Sequence, residues 1–173
     1  MRAVLLSGLL ATALASAACA ATPGTLTGND GKAIGTVTVT PAPKGVILKI
    51  DAAGLPEGWH GVHFHAKGDC GDTAKFQNSG GHVHDSAAAL THGLLNPASN
   101  DSGDLTNIYV HKDGTVKAEI YSSFVVAEAK DGSALPALKD ADGTAVVIHA
   151  SADDYTTQPI GGAGARIACA VLP

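Results

Sequence analysis

Five of the eight histidines of this chain fall between residues 60 and 84. In Trp59-His60-Gly61-Val62-His63-Phe64-His65, His63 and His65 stand two apart in a strand-like segment. They therefore share one face, while Val62 and Phe64 share the other and can enter a core. Two imidazoles on one face can grip one ion, although His-x-His alone is weak evidence for a metal. His82 and His84 follow Gly80-Gly81, then comes His92, then Asp101 and Asp104 in a loop, and His149 ends an apolar strand. Imidazole suits copper and zinc, and mixed imidazole and carboxylate suits zinc.

Short strands must position these groups. Thr36 to Thr40 alternates polar and apolar, Val46, Leu48 and Ile50 share one face, and Val116, Ala118 and Ile120 alternate with Lys117, Glu119 and Tyr121. Each is the period of two of a half-buried strand. Val146 to His149 and Ile167 to Leu172 are two more strand candidates. Asn29-Asp30-Gly31-Lys32 and Lys112-Asp113-Gly114-Thr115 carry the Asp-Gly signal of a hairpin turn. Ser86 to Leu90 offers a turn of helix with no continuation, and no segment shows a helical stripe of useful length. Two long stretches without strand pattern, Ala66 to Gly103 and Ser151 to Gly164, are where function is expected. The pattern is all-β, an antiparallel sandwich or barrel with two long loops.

The amino terminus reads as an address. Arg2 is followed by an apolar run from Val4 to Leu14 and small residues from Ser16 to Ala21. This is a secretory signal over residues 1–20, with Ala18-Cys19-Ala20 as the cleavage pattern and the mature domain over 21–173. A lipidated Cys19 is an alternative, as is an uncleaved anchor, for which the apolar run is short. Export, most simply to a periplasm, is expected. It leaves Cys70 and Cys169 as one pair in an oxidising compartment, the condition for a disulfide, with two reduced buried thiols as the other possibility. Of 173 residues, 45% are apolar and 16% charged, with a net charge of −5. That composition argues against disorder, and the absence of a Lys/Arg run argues against a nucleic-acid partner. No later stretch is apolar and long enough to span a bilayer.

The order of motifs resembles the copper–zinc superoxide dismutase family. Gly61-Val62-His63-Phe64-His65, Gly68-Asp69-Cys70, Gly80-Gly81-His82, His92-Gly93, Gly103-Asp104-Leu105, Val147-Ile148-His149 and Gly164-Ala165-Arg166-Ile167-Ala168-Cys169 stand in the family's order over essentially the whole mature chain. The resemblance implies an eight-stranded antiparallel Greek-key β-barrel with the metals outside it, under two long loops. It implies copper on His63, His65, His82 and His149, and zinc on His82, His92, a third residue and Asp104, with His82 bridging. It also implies a Cys70–Cys169 disulfide, Arg166 beside the copper, His60 as a structural tie, and Asp153 bridging a copper ligand to a zinc ligand. The activity implied is conversion of superoxide to dioxygen and hydrogen peroxide, with His82 and Arg166 catalytic. Relatives include monomers and dimers, so a homodimer is an open expectation.

Three departures stand out. The third zinc histidine of the family is replaced by Asp101, which we expect to ligate zinc; His84 as ligand, or neither residue, are the alternatives. His82 is followed by Val83-His84-Asp85 where the family has an apolar ring, Asn and Pro. Ile160 stands where a Thr commonly narrows the channel. Removing Arg2 with the leader leaves a net charge of −6. A local positive charge must then steer the anion, from Arg166 and, if they are more than solvated surface, Lys67 and Lys75. His111 is expected at the surface. An exported copper-binding or copper-delivery domain on the same fold is the rival reading. Such a domain would need His63 and His65 but not Arg166 or a bridging His82.

Overall fold

The structure is a computed structural model that describes residues 22–85, 87–129 and 133–173. The expected leader with Cys19 lies outside the described residues, as does Ser86 of the expected helical turn. The strands are β1 (Gly24–Gly28), β2 (Ala33–Ala42), β3 (Gly45–Ala52), β4 (Gly58–His60), β5 (Val62–His65), β6 (Ile108–Val110), β7 (Val116–Ser122), β8 (Val126–Glu128), β9 (Ala137–Lys139), β10 (Ala145–His149) and β11 (Arg166–Val171). Seven form one antiparallel sheet in the order β5-β10-β11-β1-β2-β3-β7, while β4 pairs with β6 and β8 with β9.

Among the described residues eleven segments stand where eight strands were expected, and the difference has a local cause. β4 and β5 are one run broken at Gly61, whose amide donates to Ser151 rather than to a neighbouring strand. β8 and β9 are a three-residue parallel pair outside the main sheet. The remainder is eight strands. The His111 amide donates to the Thr115 carbonyl at 2.9 Å, so a hairpin joins β6 to β7, and β4 beside β6 leads into β5 at the other end of the sheet. The sheet thus curls back on itself. The chain passes from β3 to β4 without pairing them.

Alternation fills the interior. Val37, Leu48, Ile50, Val62, Phe64, Val110, Ile120, Val146, Ile148 and Ala168 are buried in one cluster. Burial of each large apolar side chain contributes about 1.5–3 kcal/mol before chain entropy is counted. The opposite parity is the useful one. On β5 and β10, His65 pairs with Ala145 and His63 with Val147, and Val147 also pairs with Cys169 on β11. These residues and His149 therefore lie on the outer face of the barrel. That face is roofed by a second buried cluster of Phe76, Ala145, Val147 and Cys169, with Cys70 packed against it. Cys70 and Cys169 form a disulfide that ties the first long loop to β11.

Candidate metal centre

β5 is an edge strand, and the first long loop covers its free edge. Phe64 donates its amide to Gly103 at 2.9 Å and accepts at its carbonyl from Val83 at 2.9 Å; isolated bridges pair His63 with Asp104, His65 with His82 and His84 with Asp101. Two loop segments are thereby laid alongside the His-x-His strand. This brings His82, Asp101 and Asp104 next to His63 and His65, although they lie 17 to 41 residues away in sequence. A register shift between Ile148 and His149 sets His149 opposite Arg166.

One nitrogen of each copper-side imidazole is tethered. His65 Nδ1 donates to the Gly80 carbonyl at 2.9 Å, His149 Nδ1 to the Gly164 carbonyl at 3.0 Å and His63 Nε2 to Asp153 Oδ2 at 2.9 Å, while His82 Nδ1 faces Asp101 Oδ2 at 2.6 Å. The other nitrogens, His63 Nδ1, His65 Nε2, His82 Nε2 and His149 Nε2, are buried and have no hydrogen-bond partner among the described residues. One ligand atom from each of these four residues lies within 4.8 Å of all the others. A buried polar atom without a partner costs about 1–3 kcal/mol, so four converging lone pairs fit an ion far better than a void. Burial, with the charge of neighbouring His82, holds His63 and His65 below the ordinary imidazole range. Burial, with His63 beside it, brings His149 down to about 3. The three rings thus keep neutral lone pairs at neutral pH.

On the other side of His82 the donors are mixed. His82 Nδ1 and His92 Nδ1 lie 2.6 and 3.2 Å from Asp101 Oδ2, and 3.5 and 2.7 Å from Asp104 Oδ1. A tetrahedral ion with bonds of about 2.0 Å has edges of about 3.3 Å; the 3.2 and 3.5 Å edges fit one, and the 2.6 and 2.7 Å edges would have to open slightly to admit it. Each carboxylate is anchored by its other oxygen: Gly103 donates to Asp101 Oδ1 at 3.0 Å, and Gly93 to Asp104 Oδ2 at 2.7 Å. One ligand atom each of His63, His82, His92 and Asp104 lies within 4.8 Å of the others, a set without Asp101. His63, however, spends Nε2 on Asp153 and turns its free Nδ1 to the first cluster. His84 holds its Nδ1 against the His82 carbonyl at 2.9 Å, a contact to backbone. Burial works against charge on His92, but Asp101, Asp104 and Asp153 outweigh it and push the ring up to about 11. His82 is raised in the same way by Asp101 and Asp104.

Asp153 joins the two halves, with Oδ2 on His63 and Oδ1 accepting from His92 Nε2 at 3.1 Å. Its backbone is pinned by Asn107, which donates Nδ2–H to the Asp153 carbonyl and accepts the Asp153 amide, both at 2.8 Å. Gly161 packs on this bridge with a φ of +60°, and a Cβ there would overlap Asp153 Oδ1. Arg166 donates to the Phe76 carbonyl at 2.6 Å, Ser79 Oγ at 3.0 Å and the Gly80 carbonyl at 2.7 Å. It thus shares Gly80 with His65. His60 spans the His149 carbonyl at 2.7 Å and the Pro56 carbonyl at 2.9 Å, a structural tie, and His111 is exposed. Asn107, Gln158 and Gly161 were not legible as functional residues in the sequence: Asn107 and Gly161 support the bridging Asp153, and Gln158 supports the ligand candidate His92. A polar amide or a glycine in a loop carries no spacing signal.

Residues 33–172 match the family described as copper/zinc superoxide dismutase (SODC). A superoxide dismutase [Cu-Zn] of Caulobacter vibrioides is 58% identical over 143 residues, covering 83% of this chain and 80% of that protein. Among solved structures, a SOD-like protein from Bacillus subtilis is 35% identical with a TM-score of 0.78, over 87% of this chain and 97% of that one. The Cu/Zn superoxide dismutase from Brucella abortus is 25% identical with a TM-score of 0.69, over 88% and 99%. A barrel carrying two adjoining donor clusters on its outer face and a sequence matched over most of its length lead to one assignment: the chain belongs to the copper/zinc superoxide dismutase family.

Proposed function

We propose that this protein is an exported copper/zinc superoxide dismutase, in which two superoxide anions and two protons yield one dioxygen and one hydrogen peroxide. The observation that carries the reading is the convergence of four unpartnered buried imidazole nitrogens beside a cage that shares His82. Copper would be held by His63, His65, His82 and His149 and would supply a one-electron couple, and zinc would be held by His82, His92, Asp101 and Asp104 and would supply a fixed positive charge. Asp101 takes the place of a third histidine: its Oδ2 is the oxygen nearest His82 Nδ1.

The chain's own groups do the rest. Arg166 is fixed by three acceptors of the first loop, so its charge is presented in one orientation and can hold the anion by a charge-assisted hydrogen bond. His82 Nε2 would alternate between holding copper and holding a proton destined for the nascent peroxide, while its Nδ1 stays on the zinc side. Asp153 keeps His63 and His92 in the tautomers that leave each Nδ1 free. Residues 1–20 act as the export signal, and a periplasmic setting suits the Cys70–Cys169 bridge.

The test is superoxide consumption by the purified, metal-loaded mature protein beside His149→Ala. The wild type should consume many equivalents per copper, and the variant should fall to about a hundredth or less with its disulfide and fold retained. Stoichiometric consumption by the wild type would indicate a copper carrier; near-full activity in the variant would refute the ligand assignment.

A further inference from the structure

The second long loop holds His92 by its backbone as well as by its ring. Gln158 accepts the His92 amide at Oε1 (2.8 Å) and donates through Nε2 to the His92 carbonyl (2.8 Å). One side-chain amide thus satisfies both backbone groups of one residue, as Asn107 does for Asp153. Asn96 adds a second donor to the His92 carbonyl at 3.1 Å. The next residue is held from the same loop: Gly93 has a φ of +122°, and a Cβ there would overlap the Tyr155 carbonyl. His92 is also the ring that Asp153 grips at Nε2. Backbone and imidazole are thus fixed from one loop, and Nδ1 has a single direction left, toward Asp101 and Asp104.

We infer that Gln158 is a positioning residue for the zinc side: its amide pair on His92 pre-sets the backbone from which the imidazole reaches the ion. This rests on the reading of His92 as a zinc ligand. Gln158 is exposed, meets His92 through its backbone alone and touches no donor atom of either cluster, so its replacement should spare the fold. The clamp closes on a residue at the end of a loop segment outside any strand, where the backbone would otherwise have several conformations in the metal-free protein. Loss of both hydrogen bonds widens that ensemble, and zinc must then reorder it on binding.

The experiment compares wild type, Gln158→Met, Gln158→Glu, Thr157→Ala and His92→Ala. It reads zinc(II) affinity by chelator competition and the visible absorption of cobalt(II) in the zinc site. Gln158→Met should bind zinc about tenfold more weakly and shift the cobalt bands, as loss of supporting contacts around ligands does. Gln158→Glu keeps an acceptor for the His92 amide but lacks the donor, and should fall between. Thr157→Ala loses only a bond to Asp154 within the same loop and should match the wild type. An unchanged zinc affinity and cobalt spectrum in Gln158→Met, with zinc lost in His92→Ala, would overturn the clamp alone. An equal loss in Thr157→Ala would show general loop order instead and also overturn it. Zinc binding that survives His92→Ala would remove the underlying ligand assignment.

Discussion

At the scale of single residues, the departure at Asp101 separates this chain from the three-histidine pattern. Its side chain is shorter than imidazole, yet Oδ2 reaches both Nδ1 atoms because Gly103 and Asp101 share a tight turn that points the carboxylate inward. Asp101→Ala is expected to lower zinc affinity by about tenfold or more, while His84→Ala retains it. Metal content after dialysis against a weak chelator distinguishes the two, and the reverse pattern would make His84 the ligand. The cage also has a proton signature. With its pKa raised to about 11 by three carboxylates, His92 is charged in the metal-free protein at neutral pH. Zinc needs the lone pair at Nδ1, so binding expels that proton. Apparent zinc affinity should rise from about pH 6 to about pH 8, by up to tenfold per unit for each proton released. Calorimetry in buffers of different ionisation enthalpy reads the count, and zero protons would contradict the arrangement. Arg166→Ala should cut kcat/KM about 10- to 100-fold, the range for one charge-assisted hydrogen bond, with copper content unchanged.

At the scale of elements, much of the fold was legible in the sequence because alternation is local. Val62 and Phe64 point inward and His63 and His65 outward, as the period of two required. The hairpin turns at Gly31 and Gly114 were marked by Asp-Gly, and both glycines take positive φ. β1 escaped because Gly24-Thr-Leu-Thr-Gly28 has one large apolar residue, and its pairing with β2 and β11 creates the strand. The break at Gly61 and the short β8–β9 pair were likewise invisible, since both depend on contacts from distant segments. The motif order placed the donors, but motifs say nothing of the carbonyls and amides that aim them. The disulfide belongs to this scale too. It closes a separation of 99 residues and anchors the loop whose Phe76, Ser79 and Gly80 hold Arg166. Cys70→Ser should destabilise the protein by up to about 4.7 kcal/mol by chain entropy and should lower activity through Arg166 more than it lowers copper binding. Denaturant midpoints with parallel copper analysis check this, and equal midpoints would contradict it.

At the scale of the whole molecule, a curled antiparallel sheet offers a rigid outer face, and two loops held by a disulfide and by side-chain amides bring two adjoining donor clusters together there. Among the described residues no helix is long and apolar enough to cross a membrane. The net charge of −5, or −6 if residues 1–20 are removed, opposes an anionic substrate, so attraction must be local, at Arg166 and the metal charges. A dismutase must turn over at the assembled sites, whereas a copper carrier need not. The measurement that decides it is the rate of superoxide loss per copper in protein of analysed copper and zinc content, followed through many equivalents of substrate. One copper and one zinc per chain with sustained turnover, lost when copper is removed and regained when it is restored, is the predicted result. Full metal content with consumption that stops after about one equivalent would contradict it.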